Sequence, residues 1–583
     1  MNWNLEDIFK NKEEFENTKK ELLENLDKIE SFQGKLCDTS DNLYNFYKLD
    51  EKALEQFEKI YSYGMLKYHL DMSNGEGIKI FKEVEGLATI FDTKTSYITP
   101  EITYADETKI RKYLEEERFE GYKRDIEDIL AEKEHTLSKE EENLLANYSE
   151  IFSAPENTFD ILTNAEFKFG TLINENREEV ELTDSNYTIY MKNKNEKVRK
   201  QAFDLMYKMY SEYINTITEM YLTNVKQNEI TSKLRKYNSG LEMAVEQDDA
   251  KVTVYNSLIK AINENISANH EFLRLKSKLL NKEKVHIYDI YVNPFEKEED
   301  KISYEDAKKD VLDSLSVLGD EYVGLLNKAF NENWIDLESK PNKKGGAYST
   351  GVFGVHPYVL TNFEYSKRDV STIAHELGHA IHSYYSNKNQ NVLNADYTIM
   401  VAEVASTVNE LLLSKYQLDK ETDKTKKAEI LYELLEMIRA TFFRQSMFAE
   451  FEKQIHEKIK EGIQLSSDDL NNVYYKLNEK YFGKEIILDE EIKYEWARIP
   501  HFYSNFYVYK YATGISCAIK IANNILKQGK PYVEKYLNML KQGCSKKSIE
   551  LLKMADVDLE SEDTYLETIK FYKEKTEELK SLL

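Results

Sequence analysis

The chain has 583 residues, 41% of them apolar and 32% charged, with a formal net charge of −26 at pH 7. The apolar share is ample for a sizeable core, and acidity spread as mixed Glu/Lys argues against a nucleic-acid or anionic-membrane partner. Only 7 prolines and 20 glycines interrupt it, so a mostly helical protein is expected. The three cysteines, Cys37, Cys517 and Cys544, lack C-x-x-C spacing, which disfavours a disulfide framework or a thiolate zinc site and fits a reducing cytosol. The start, MNWNLEDIFKNKEEF, carries acids where a signal peptide needs a basic segment, and no run approaches the roughly 20 apolar residues that span a bilayer. A soluble, cytoplasmic protein is the expectation.

In chain order, Leu5, Ile8, Phe9, Phe15, Leu22, Leu26 and Ile29 recur at helical spacing with one buried face. The dense charge run from Leu114 interleaves both signs with apolar residues and reads as a solvated helical face. Val198, Met206, Met209, Tyr213, Ile217, Met220 and Val225 repeat the helical rhythm, closing near the stop signal Asn238–Gly240. The stretch from Asn293 to Lys301 reads as a surface loop.

The segment Lys343–Phe363 departs from this habit. Its glycines, followed by Val, Phe and Tyr, predict a flexible loop and a short β-element, with Pro357 restricting a strand there to an edge. Such an edge could accept an extended peptide as an added strand; a structural hairpin over the core is the alternative. Gly346, Ala347 and Tyr348 are candidate substrate contacts. His356 is another, with a locally satisfied histidine equally consistent.

Residues 375–379 read HELGH. On a helix His375 and His379 lie one turn apart and face the same way, so both can reach one ion with nitrogen ligands at about 2.0–2.1 Å. Glu376 is rotated by about 100°, placed to take a proton from a water without being a ligand. Ser371 or Thr372 could cap this helix, and Gly378, costing about 1 kcal/mol relative to Ala, implies something packed close against it. A catalytic zinc needs a third protein ligand, for which Asp396, Glu403 and Glu410 are candidates. Glu403, alone in the apolar stretch IMVAEVASTV, is the expected one, since a buried carboxylate must be paired or metal-bound. Glu410, seven residues on, is either an orienting partner for a histidine or a surface residue. His382 could compete as a ligand or pack locally.

The helix HELGHAIHS, the glutamate of AEVASTVNE and the later ARIPHFYSNFYVYKYATG together resemble oligoendopeptidase F, of the thimet-oligopeptidase-like zinc metallopeptidases. WNLEDIF, LTNAEFKFG, RKQAFDLMYKMY, HIYDIYV and HPYVLTNF agree, so the likeness covers essentially the whole chain. It implies one zinc ion per chain on His375, His379 and Glu403, with Glu376 as general base. It also implies a mainly α, two-lobed body with a small β-element beside a deep substrate channel that admits short peptides. A division into an N-terminal helical lobe, residues 1–195, and a catalytic region, 196–583, is expected. Histidine and phenols are suitable oxyanion donors, and relatives use a histidine and tyrosines from the equivalent helix. His501 with Tyr503 or Tyr509 is favoured here, with Tyr507 as a substrate contact, while at least half of His501, Tyr503, Tyr507, Tyr509 and Tyr511 are expected to be core.

Two rival readings are weaker. A secreted thermolysin-like protease needs an export signal and a different third-ligand helix. A non-catalytic helical peptide-binding protein with a structural metal needs a fourth ligand, such as His382. Manganese or cobalt would also suit the ligand set.

Overall fold

The computed structural model describes residues 2–295 and 301–583, so residues 296–300 of the expected surface loop lie outside the described residues. Helices dominate, and the described strands are two to six residues long. The chain forms two compact units: residues 1–136, 299–417 and 521–557 make the first, and 137–298, 418–520 and 558–583 the second. The units are thus not two contiguous segments meeting at 195, because residues 1–136 share a unit with the HELGH segment.

In the first unit, helices α1 (Lys12–Glu30), α2 (Ser40–Leu70) and α3 (Gly75–Thr95) start at Asn11, Thr39 and Asn74, whose side-chain oxygens accept backbone N–H groups of the first turn. Phe15, Leu22, Leu26 and Ile29 form the buried face of α1, as their spacing predicts. Leu5 belongs to a separate short 3-10 turn, Leu5–Asp7. Between α2 and α3 the Val84 side chain packs onto Gly64: a Cβ there would lie 2.8 Å from Val84 Cγ2.

The β-element is a three-stranded sheet of β1 (Ile335–Glu338), β2 (Tyr348–Thr350) and β3 (Tyr358–Phe363), in the order β1-β3-β2. β3 pairs parallel with β1 and antiparallel with β2. The strand after Pro357 is therefore central, not an edge: proline precedes its first residue and removes no ladder donor. The edge is β2. Lys343 anchors the connecting loop, its buried ammonium meeting the buried Asp336 carboxylate at 2.5 Å and donating to the carbonyls of Glu338 (2.7 Å) and Thr361 (2.6 Å). Trp3 Nε1 donates to Val359 O at 2.8 Å and ties the N-terminal segment to β3. Helices α4 (Lys367–Asn389) and α5 (Ile399–Lys420) follow the sheet.

The second unit is also helical. The rhythm from Val198 to Val225 is carried by two helices, Glu196–Glu212 and Ile214–Leu234, broken at Tyr213. Asn238–Gly240 does not end them: the helix stops at Leu234, and Ser239 caps the next one, Gly240–Glu246, by accepting the Glu242 N–H. This unit buries ion pairs, among them Arg199 with Asp289.

Candidate active site

Helix α4 begins at Ser366, whose hydroxyl and the Asp369 side chain form a reciprocal capping box, five residues before the expected cap at Ser371. Its buried face is Val370, Ile373, Ala374, Leu377, Ala380 and Ile381, which leaves His375 and His379 together on its flank. α5 crosses directly over Gly378. A Cβ there would lie 2.5 Å from Ser406 Cα and 2.7 Å from Ala405 O, so only glycine permits the approach. Asn409 on α5 locks the crossing by donating to Ala374 O at 3.0 Å while accepting from Tyr322 Oη at 2.9 Å.

That crossing carries Glu403 to the two imidazoles. His375 Nε2 and His379 Nε2 are 3.2 Å apart, and Glu403 Oε2 lies 3.6 Å from the first and 3.9 Å from the second. Among the described residues, His375, His379 and Glu403 form a group whose donor atoms all lie within 4.8 Å of one another, close enough to hold one metal ion. Two imidazoles and one carboxylate are a donor set suited to zinc with a coordination position left open. Asp396 is outside the group; it is exposed and accepts its neighbour's N–H from Tyr397.

Glu410 is no idle surface residue: its Oε1 is hydrogen-bonded to His375 Nδ1. Burial opposes a charge on His375, but this bond and the nearby carboxylates outweigh it and raise its pKa. His379 is pushed down to about 3 by burial and then by repulsion from His375. Burial lifts Glu376 to about 7 against the attraction of His375, with Glu403 and Glu410 adding to the rise. His382 is buried and stacked on the Tyr397 ring at 3.7 Å with 9° between planes, and so it packs behind the site.

The cluster opens into a cavity of about 800 Å³, lined by His375, Glu376, His379 and Glu403 from the two crossing helices, by residues 347–351 of the β2 edge, and by Glu58 of α2. β2 has one strand neighbour, leaving its outer side without a ladder partner among the described residues. Ala347 and Tyr348 line the cavity, and the Tyr348 hydroxyl lies 2.7 Å from His69 Nδ1. Gly346 and His356 do not line it. Gly346 O accepts from Asn362, and His356 stacks on Trp334 (5.2 Å, 2°) with Nε2 3.2 Å from Asp7, a locally satisfied residue. Glu58, Tyr397 and Ser383 line the cavity without any expectation from sequence. Glu58 alternates with buried core positions on a long helix and carried no motif.

The aromatic candidates belong to the second unit. A short turn, Pro500–Tyr503, precedes the helix Tyr509–Gln528. Tyr503 is buried and stacked on Phe159 at 4.7 Å, and Tyr509 is buried with its hydroxyl donated to Asp248 at 2.8 Å. Neither hydroxyl faces solvent. His501 is exposed and groups with the half-exposed Tyr507 and Tyr511, with Tyr511 Oη 3.4 Å from His501 Nε2.

Comparisons with known proteins extend over the whole chain. The profile described as Oligopeptidase F matches residues 101–169. The chain is 40% identical to oligopeptidase PepF of Bacillus subtilis, covering all of this chain and 87% of that one. It is 37% identical to an oligoendopeptidase F homolog of Borreliella burgdorferi, covering 100% and 98%. Among solved structures, oligoendopeptidase-F from Enterococcus faecium superposes with a TM-score of 0.75 at 31% identity, covering 98% of this chain and 99% of that one. A structure from Chlamydophila abortus superposes with a TM-score of 0.93 at 32% identity, covering 100% and 98%. The profile of peptidase family M3 matches residues 189–571, more than half of the sequence, and the chain therefore belongs to that family of peptidases.

Proposed function

We propose that the protein is a zinc-dependent endopeptidase that hydrolyses internal bonds of short peptides in the cytoplasm. The observation that carries this reading is the meeting of His375, His379 and Glu403 donor atoms beside Glu376 on the wall of a cavity bordered by an unpaired strand edge. The three residues would hold one zinc ion, which supplies Lewis acidity that makes a water acidic near neutrality and polarises a carbonyl.

Glu376 takes the proton of the attacking water and delivers it to the leaving nitrogen, a transfer suited to a carboxylate whose surroundings bring its pKa to about 7. Glu410 holds His375 with Nε2 turned toward the shared donor position. The backbone of β2 lines up an extended peptide through main-chain bonds, which demand little of substrate side chains. Oxyanion stabilisation is assigned to the exposed His501 with the half-exposed Tyr511, 3.4 Å away through its hydroxyl, with Tyr507 beside them. Tyr503 and Tyr509 are less suited because their hydroxyls are buried. A purely structural metal would need a fourth ligand, and His382 is committed to its stack with Tyr397.

The test is metal analysis paired with mass-spectrometric mapping of cuts in a mixed peptide pool, with and without chelator. One zinc per chain and internal cuts abolished by chelation support the proposal; cleavage that persists after the metal is removed overturns it.

A further inference from the structure

The second unit holds a concentration of buried and partly buried positive charge that the peptidase reading does not use. Arg439 bonds Glu436 through Nε (3.0 Å) and Nη2 (2.9 Å), and the fully buried Lys276 shares that same carboxylate at 2.8 Å. Arg444 donates Nη2 to Glu495 at 2.8 Å, and Arg498 stands 3.8 Å from the same Glu495. Arg498 reaches Asp184, a largely exposed residue, only at 3.9 Å, and its own Nε is buried with no hydrogen-bond partner. Four cationic side chains, Lys276 and Arg439 buried and Arg444 and Arg498 partly so, thus share two carboxylates, the buried Glu495 and the partly buried Glu436. Burial of unmatched charge is costly, and such groups are ordinarily paired or bound to a counterion.

The backbone is shaped around this group. Arg439 and Arg444 bracket a single π-helical turn, Arg439–Phe443, closed by the Arg444 N–H on Arg439 O. In an α-helix residues five apart point about 140° away from each other. The wider turn sets both guanidinium groups on the wall of one small space, a departure from regular helix of the kind that recurs at functional sites. Tyr187, Tyr207, Tyr291 and Glu495 line the same space, which admits one particle about the size of a water molecule. Glu495 is already engaged by Arg444 and by the Tyr474 hydroxyl. The remaining guanidinium N–H groups of Arg439 and Arg444 have no hydrogen-bond acceptor among the described residues.

We propose that this space is a binding site for a small monovalent anion of the chloride class, held by Arg439 and Arg444 with tyrosine hydroxyls completing its shell. The size excludes phosphate and organic anions. The excess of positive charge distinguishes an anion from a water, which would leave that excess unbalanced. The site also bears on the aromatic segment, because Arg498 precedes His501 by three residues, and partial desolvation by neighbouring groups and then the charge of Arg444 hold the His501 pKa down. An anion beside Arg444 relieves the second effect.

The test uses the whole wild-type protein. Thermal unfolding is followed in potassium chloride, bromide and gluconate at constant ionic strength, and a crystal grown without chloride is soaked in bromide. A saturable rise in melting temperature in chloride and bromide alone, of about 2 °C at ten times the dissociation constant, supports the site. A bromide anomalous peak between Arg439 and Arg444, lost in Arg444→Gln, supports it further. Melting temperatures indifferent to the anion together with ordinary water density at that position overturn it, whether or not Arg444→Gln folds.

Discussion

Gly378 of α4 lies directly beneath the backbone of Ser406 of α5, with 2.5 Å between the position of a Cβ on the first and Cα of the second. Gly378→Ala would gain about 1 kcal/mol of helix propensity but meets backbone, which cannot rotate away. Overpacking costs about 1–3 kcal/mol, so the net effect is destabilising. Because α5 carries Glu403, its displacement should also loosen the donor group. The expected result is a lower denaturant midpoint together with lower zinc content after dialysis. A variant that keeps both at parent values would show that α5 does not depend on this contact.

Glu376→Gln is expected to keep its zinc and lose turnover by about 10²–10⁴-fold. The amide preserves shape and hydrogen bonding but cannot accept the proton. Initial rates on an internally quenched peptide, measured on protein of verified metal content, decide it; parental rates remove the general-base role.

Glu410→Gln keeps an acceptor for His375 Nδ1–H but removes the charge that raises this histidine's basicity. Loss of such an orienting partner lowers metal affinity or activity by about 10–100-fold. Competition with a fluorescent chelator should show a weaker, not absent, site, and unchanged affinity with an unchanged rate would make Glu410 a bystander.

Tyr511→Phe and His501→Gln should each lower kcat by about 10²–10³-fold at constant zinc content, the usual effect of removing an oxyanion donor. Tyr503→Phe should be close to silent, because its buried hydroxyl has no partner to lose. Tyr509→Phe removes the bond to Asp248 and should cost about 1–3 kcal/mol of stability while leaving the chemical step intact. A Tyr503→Phe variant that folds normally but loses turnover would return the donor role to that residue.

The parts of the site that were legible in sequence are those governed by local periodicity. The i, i+4 spacing of His375 and His379 needs only a helix, and Glu403 stood out as the lone acid of an apolar stretch, although its side chain is 45% exposed and not the buried carboxylate that stretch suggested. Gly378 likewise announced a close neighbour, and Ser406 is that neighbour. Legibility ended where the chain leaves regular structure. Between Tyr503 and Tyr509 the backbone passes through Phe506 at φ +57°, so helical spacing does not relate the tyrosines to one another. Within each element the faces differ: Tyr503 and Tyr509 are buried, while His501 is exposed and Tyr511 half-exposed. Glu58 reaches the cavity from 317 residues before His375, a relation set by tertiary packing alone.

Asp50 on α2 offers a test of buried charge remote from the donor group. It is 8% exposed, and burial, then the repulsion of Asp125, raises its pKa to about 7. The unfolded chain releases this proton near pH 4 while the folded protein keeps it, so the folded state binds more protons between those values. Stability therefore falls as pH rises from about 4 to about 7, and the full penalty persists above that range. Asp50→Asn removes the ionisable group and with it the penalty. The variant should exceed the parent at pH 8 by on the order of 4 kcal/mol at most, and show no advantage at pH 4. Urea unfolding at the two pH values measures the difference. An equal gain at both would assign the effect to packing, and no gain at pH 8 would mean that Asp50 ionises as it does in the unfolded chain.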